Sequence, residues 1–118
     1  MNGVENADFV TGRWGKSCAE MAVAVNGGAA FDLVICADVL YHCEDFIALI
    51  DLIEFTCSKS SCNLIVSFEQ RRKDLTPFFD QLLQIPGIEL AGKQKYLIKD
   101  ECSGASILFN IYTFLISK

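Results

Sequence analysis

The chain has 118 residues, of which 52% are hydrophobic, and its 15 acidic and 10 basic side chains give a net charge of -5. This apolar content excludes a disordered protein, and the length suits one small domain or part of one over residues 1–118. The acidic balance argues against a general nucleic-acid binder, which normally carries a basic patch. No apolar run reaches the roughly 18 residues of a membrane span, and the start lacks the pattern of a secretory signal.

Six cysteines occur, but their spacing does not predict a metal site or a secreted disulfide framework. No two of them form a Cys-x-x-Cys pair, and the chain has one histidine, so zinc-site spacing is absent. Cys36 falls within an apolar run and Cys57 on an apolar helix position, which favours buried free thiols in a reducing compartment. We therefore expect a cytoplasmic or nuclear protein with no bound metal.

The first part of the chain predicts a weak strand, a helix and a buried strand. Residues 8–11 give the weak strand, and the loop over 12–15 holds the only tryptophan. The segment 18–26 has helix-forming composition and is stopped by Gly27 and Gly28. Residues 31–37 are a short apolar run rich in Val and Ile, which is typical of a strand buried on both faces in a parallel sheet.

The later part predicts two more helices and three more strands. A helix begins near Glu44, and its apolar face carries Phe46, Leu49, Ile50 and Ile53. A second buried strand covers 63–68, and a charged stretch follows over 69–74. Thr76 and Pro77 suit the N-cap and first position of a helix with an apolar face through Leu83, which Pro86 and Gly87 end. Segments 88–98 and 107–116 predict an antiparallel hairpin linked by 100–104.

This order of elements predicts an α/β fold with a mostly parallel sheet and a terminal antiparallel pair. In open sheets of this kind, ligands bind at the carboxyl ends of the strands. Asp38 and Tyr41 stand just beyond the strand over 31–37, three residues apart. The sequence therefore places the chemistry of the protein at this end of the sheet.

Several of these segments resemble the seven-β-strand methyltransferases that use S-adenosylmethionine. More narrowly, they look like the protein-lysine methyltransferases of family 16, the methyltransferase-like 21 group. The run 31–37 followed by Asp38-Val39-Leu40-Tyr41 is similar to the family's fourth strand and its Asp-x-x-Tyr motif. Trp14-Gly15 matches the Trp-Gly after the third strand, and residues 67–72 resemble the segment after the fifth. The resemblance implies a Rossmann-like sheet whose sixth and seventh strands are the terminal pair.

The resemblance also implies roles for individual residues. Asp38 and Tyr41 would be catalytic, with the carboxylate orienting a lysine side chain and the ring flanking it. S-Adenosyl-L-methionine would be the cofactor, in contact with Trp14, Gly15 and Ala37. A protein substrate bearing the target lysine would be the partner. Apart from the resemblance, the charges of Glu69 and Arg71 at the carboxyl end of a strand could bind an acidic or peptide substrate.

Each of these residues also has an ordinary structural interpretation. Asp38 could cap the next helix, Tyr41 could seal that helix onto the sheet, and Trp14 could be a core residue. Glu69 and Arg71 could belong to a solvated loop, which is the commoner outcome for loop charges. We favour the catalytic interpretation of Asp38, because Tyr41 and the preceding strand complete the motif.

The family's first two strands have no counterpart in this sequence. The glycine-rich turn after the first strand and the acidic residue ending the second are not found, and Arg13 stands where the family often has an acidic residue. The family's strand order is 3-2-1-4-5-7-6, so the strand over 31–37 is expected to form an exposed apolar edge.

The open edge has two explanations. The explanation that we favour is a truncated product. The other explanation is that a second copy of the chain or a different partner completes the edge, and a second copy would mean self-association. The alternatives to a protein-lysine methyltransferase are a non-catalytic interaction module and a methyltransferase acting on a small molecule. The Asp-x-x-Tyr motif argues against the small molecule.

Overall fold

The computed structural model describes residues 13–29, 31–37, 46–57, 60–69 and 75–117. The helices are α1 (Lys16–Val25), α2 (Phe46–Thr56) and α3 (Thr76–Leu82). The strands are β1 (Leu33–Ala37), β2 (Cys62–Glu69), β3 (Ile88–Lys99) and β4 (Ser106–Ile116). The strand predicted at 8–11 and the predicted helix start near Glu44 lie outside the described residues. None of the described helices is long and apolar enough to cross a membrane.

The strands form one sheet in the order β1-β2-β4-β3. β1 and β2 are parallel, with Leu33 opposite Asn63 and Ala37 opposite Ser67, whereas β4 is antiparallel to both β2 and β3. This order matches the 4-5-7-6 portion of the order that the resemblance implied, and the terminal antiparallel pair is confirmed. The described sheet is mixed rather than mostly parallel, because β4 returns between β2 and β3 and pairs antiparallel with each.

The core lies on one face of this sheet, under α2 and α3. Side chains from both helices and from the sheet form a single cluster, which includes Leu49, Ile53, Leu64, Val66, Phe78, Leu82 and Phe114. The apolar spacing predicted for α2 is confirmed, since its residues at positions 46, 49, 50 and 53 are all buried while Asp51 and Glu54 are exposed. α1 packs on α2 and buries Ala19 and Val23.

β1 is buried on one face only, which corrects the prediction of burial on both faces. Cys36 is 7% exposed, whereas Leu33 is 48% and Ile35 is 62% exposed. Side chains alternate across a strand, and the core covers only the face that carries Val34 and Cys36. Among the described strands β1 pairs with β2 alone, so the expected apolar edge is confirmed for this part of the chain.

The ends of the elements follow the predicted signals to within a few residues. Gly27 and Gly28 end α1 at φ angles of 68° and 77°, and the Gly28 N–H donates to the Val23 carbonyl oxygen at 2.8 Å. The N-cap of α3 is Leu75 rather than Thr76, so Pro77 is the second residue of the helix instead of the first. A proline in the first turn costs no helical hydrogen bond, because the backbone N–H groups there have no partner within the helix. Leu83 was predicted to belong to the apolar face of this helix. It follows the helix instead and is 49% exposed, so this prediction is wrong.

Candidate active site

The carboxyl ends of β1 and β2 lie side by side, which defines the edge where the candidate site was predicted. The two strands are parallel and in register, with Ala37 opposite Ser67. Asp38 follows Ala37 directly in the sequence. Asp38 and Tyr41, and Arg71 beyond β2, lie outside the described residues, so their predicted roles stay predictions.

Ala37 and Glu69 are the last residues of the two parallel strands. Ala37 is exposed, and Glu69 is half-buried and lies opposite Phe109 of β4. Both therefore lie at the end of the sheet predicted for the site. Ala37 pairs with Ser67, and Glu69 lies two residues further along β2. Their predicted contacts with cofactor and substrate are not tested by this geometry.

Trp14 and Gly15 form the entry to α1. Trp14 is half-buried and packs against the core cluster. Gly15 is the N-cap of α1 at φ 141°, a left-handed conformation that favours glycine, and its carbonyl oxygen accepts from the Ala19 N–H at 3.1 Å. Among the described residues, no atom apart from the chain neighbours of Gly15 comes within 4 Å of the position a Cβ would take, so this side of Gly15 is open to them.

An apolar cavity of about 320 Å³ lies between Trp14, β1 and α2. Its described lining comprises Trp14, Phe31, residues 33–36 of β1, and Leu49, Leu52, Ile53 and Thr56 of α2. Trp14 is the one predicted site residue in that lining; Gly15, Ala37 and Glu69 are not part of it. The structure thus brings the tryptophan to β1 and does not bring the other described candidates into the same cavity.

The described lining of this cavity carries no charged side chain. The Thr56 hydroxyl donates to backbone oxygens of its own helix, at 2.8 Å to Leu52 and 3.1 Å to Ile53. Burial raises the pKa of Cys36 to about 11, so this thiol is protonated at neutral pH. The described lining of the cavity therefore suits a planar or apolar group rather than an ion.

Sequence reasoning did not identify the α2 residues of the cavity as part of a site. Leu49 and Ile53 are one helical turn apart and were interpreted only as core, because a helix face that borders a cavity has the same periodicity as one that fills a core. Phe31, just before β1, could have been singled out as an aromatic residue beside the strand.

The fold and this edge define a mixed α/β protein with parallel strands whose carboxyl ends meet at one place. Comparison with protein-family models gives a match to the lysine methyltransferase family over residues 5–85, more than half of the chain. The protein therefore belongs to the lysine methyltransferase family. No match was found among curated proteins or among solved structures.

Proposed function

We propose that the protein is an S-adenosylmethionine-dependent protein-lysine N-methyltransferase. The observation that carries this proposal is its family membership together with the position of Asp38, which follows β1 where β1 and β2 end side by side. Methyl transfer needs a neutral amine aimed at the methyl donor, and a free lysine ammonium has a pKa of about 10.4. The site must therefore orient the lysine and allow it to lose its proton.

On the cofactor side, the proposal assigns the adenine end of S-adenosylmethionine to Trp14, Gly15 and Ala37. The apolar cavity beside Trp14 has no charged side chain in its described lining, which suits contact with the face of a planar base. Trp14 would lie against the base, the missing side chain of Gly15 would let the backbone approach, and the small Ala37 would pack beside the nucleoside. When bound, S-adenosylmethionine supplies the methyl group from its sulfonium.

On the substrate side, the proposal assigns the lysine channel to Asp38 and Tyr41. The Asp38 carboxylate would hold the incoming ammonium and fix its direction, and the Tyr41 ring would form the wall of the channel. Glu69 and Arg71, at and beyond the end of β2, would contact the protein that carries the lysine. Each of these residues acts by position and charge.

The Asp38→Ala substitution is expected to reduce methyl transfer to protein lysines at least about a hundredfold while cofactor binding persists, because orientation of the amine is lost. Transfer is measured with labelled S-adenosylmethionine, and cofactor binding by titration calorimetry. Circular dichroism checks that the variant folds.

Asp51→Ala is the matched control, since Asp51 is an exposed carboxylate on α2 outside the site. Its transfer rate should equal that of the unchanged protein. Unchanged transfer in Asp38→Ala would remove Asp38 from the mechanism.

A second candidate function is a non-catalytic interaction module, and the exposed apolar edge of β1 favours it. On this alternative the edge pairs with another polypeptide strand, and the lysine channel has no role. The two functions differ in one measurement, because a module transfers no methyl group from labelled S-adenosylmethionine to any protein.

A further inference from the structure

β3 forms the edge of the sheet opposite to β1. It runs from Ile88 to Lys99 and pairs with β4, and among the described strands it has no second neighbour. Every residue from Lys93 to Lys99 is exposed. The outer backbone N–H and C=O groups of such an edge can bond to another strand. No role proposed above uses this edge.

A row of lysine side chains lies along this edge. Lys93, Lys95 and Lys99 point to the same face of β3 as Leu97, because side chains two residues apart share a face. The Lys93 Nζ lies 5.1 Å from the centroid of the Tyr112 ring on the neighbouring strand. Within the described part of the chain, Lys95 and Lys99 form no ion pair. In a protein with a net charge of -5, this lysine row is a local positive surface.

The lysine row decides which strands can pair with the edge of β3. Lysines on an edge oppose pairing with a second copy of the same strand, because like charges opposite one another are destabilising. The same lysines favour a strand that carries carboxylates at the matching positions. A nucleic acid could neutralise the ammonium groups, but it has no backbone N–H and C=O groups at strand spacing to pair with the edge. The edge therefore suits an acidic polypeptide.

We infer that the edge of β3 binds an extended acidic segment of another protein as an added strand. Lys93 and Lys95 are about 7 Å apart along the strand, which is also the spacing of alternate side chains in a strand paired with them. Carboxylates at every second position of the bound segment therefore lie opposite the lysine row. Backbone hydrogen bonds supply affinity, and the charges select the partner. This binding does not depend on methyl transfer, so either can be absent without the other.

The test uses a capped synthetic peptide of about nine residues, a usual strand length, in which glutamate alternates with valine. Fluorescence anisotropy of the labelled peptide measures its binding to the folded protein at about 0.15 M salt, where distant charges are screened. The expected dissociation constant is below about 1 mM. In NMR spectra, the amide resonances of residues 93–99 should shift on binding, and those of β1 should stay in place.

A matched peptide has the same composition with its glutamates in one block. It should bind at least about tenfold more weakly, because its carboxylates cannot all face the lysine row. In the protein, Lys95→Glu reverses the charge in the middle of the row and should weaken binding of the alternating peptide at least about tenfold.

Lys16→Glu is the control variant, since Lys16 is exposed on α1 and undergoes the same change of charge. Its dissociation constant for the alternating peptide should change less than about twofold, because its charge is screened from the edge. Circular dichroism checks that both variants fold, and substitutions at exposed positions cost little stability.

Equal binding of the alternating and block peptides would overturn the inference, because a general cationic surface does not depend on strand spacing. Equal weakening by Lys16→Glu and Lys95→Glu would overturn it as well, and so would resonance shifts centred on β1. Tighter binding of a single-stranded oligonucleotide of equal charge would assign the lysine row to nucleic acid instead. Absence of binding up to about 1 mM peptide would show that the edge takes no acidic strand.

Discussion

Asp100 shapes the turn between β3 and β4 through both oxygens of its carboxylate. One oxygen accepts from the Cys102 N–H at 3.0 Å, and the other accepts from the Ser103 hydroxyl at 2.9 Å. The Ala105 N–H in turn donates to the Ser103 hydroxyl at 3.2 Å. The hydrogen bonds from Cys102 and then Ser103 hold the pKa of Asp100 below its usual value, because they favour the charged form.

This lowered pKa predicts an acid-sensitive turn. Since the folded pKa is below the unfolded one, the stabilisation is present at neutral pH and is lost as the pH falls through the folded pKa. The amide resonances of Cys102 and Ala105 should shift together in an NMR titration, with a midpoint below the ordinary value of 3.8. Asp100→Asn is the control and should show no such transition, and a midpoint at or above the ordinary value would contradict the assignment.

At the scale of the elements, α3 is held to the sheet by aromatic side chains. The Phe78 ring meets Phe46 of α2 edge-on, with centroids 5.3 Å apart. Phe79 lies 5.0 Å from the Tyr112 ring of β4 and 5.4 Å from the Phe68 ring of β2. A helix of 7 residues is too short to be stable by itself, so these contacts keep it in place.

Phe78→Ala is expected to lower the free energy of unfolding by about 3–5 kcal/mol, because Phe78 is completely buried and its loss leaves a cavity. Urea unfolding followed by circular dichroism measures the change. Leu83→Ala, just beyond the same helix and 49% exposed, is the matched control and should cost no more than about 0.5 kcal/mol. Equal costs for the two variants would show that α3 does not depend on this packing.

The elements themselves could be predicted because their signals are local. The apolar spacing in α2, the glycines after α1 and the turn residues between β3 and β4 each act within a few residues. The exposure of Leu33 and Ile35 could not be predicted from the composition of β1, because it depends on which other elements reach that face. The irregularity in β3 between Leu90 and Gly92 was not predicted either, since it arises from pairing with β4.

At the scale of the whole molecule, the open edge of β1 affects whether copies of the chain associate. Its outward backbone groups have no strand partner among the described residues, and Leu33 and Ile35 are exposed beside them. An apolar unpaired edge is a template for another strand. Self-association through this edge follows as an expectation, and the cavity beside β1 offers apolar surface to the same incoming strand.

Ile35→Lys is expected to shift the protein toward the monomer, because a charge on this strand opposes pairing of the edge. Sedimentation velocity over a range of concentrations measures the shift, and the association constant should fall about tenfold or more, equivalent to about 1.4 kcal/mol. Ile47→Lys is the matched control, since Ile47 is 69% exposed on α2 and away from the edge. Equal association in the two variants would exclude the β1 edge as the contact.

The inward position of β4 has a consequence for how the chain acquires its sheet. β4 is the last described strand in the chain, yet it joins β2 to β3, so that Ile116 faces Cys62 across the ladder. During synthesis on the ribosome, β2 cannot pair with its antiparallel neighbour until β4 has been made. Contacts between residues so far apart in the sequence also slow folding. In a newly made chain, the edge of β2 that pairs with β4 therefore stays without its partner until β4 has emerged, which is when a chaperone would be most useful to it.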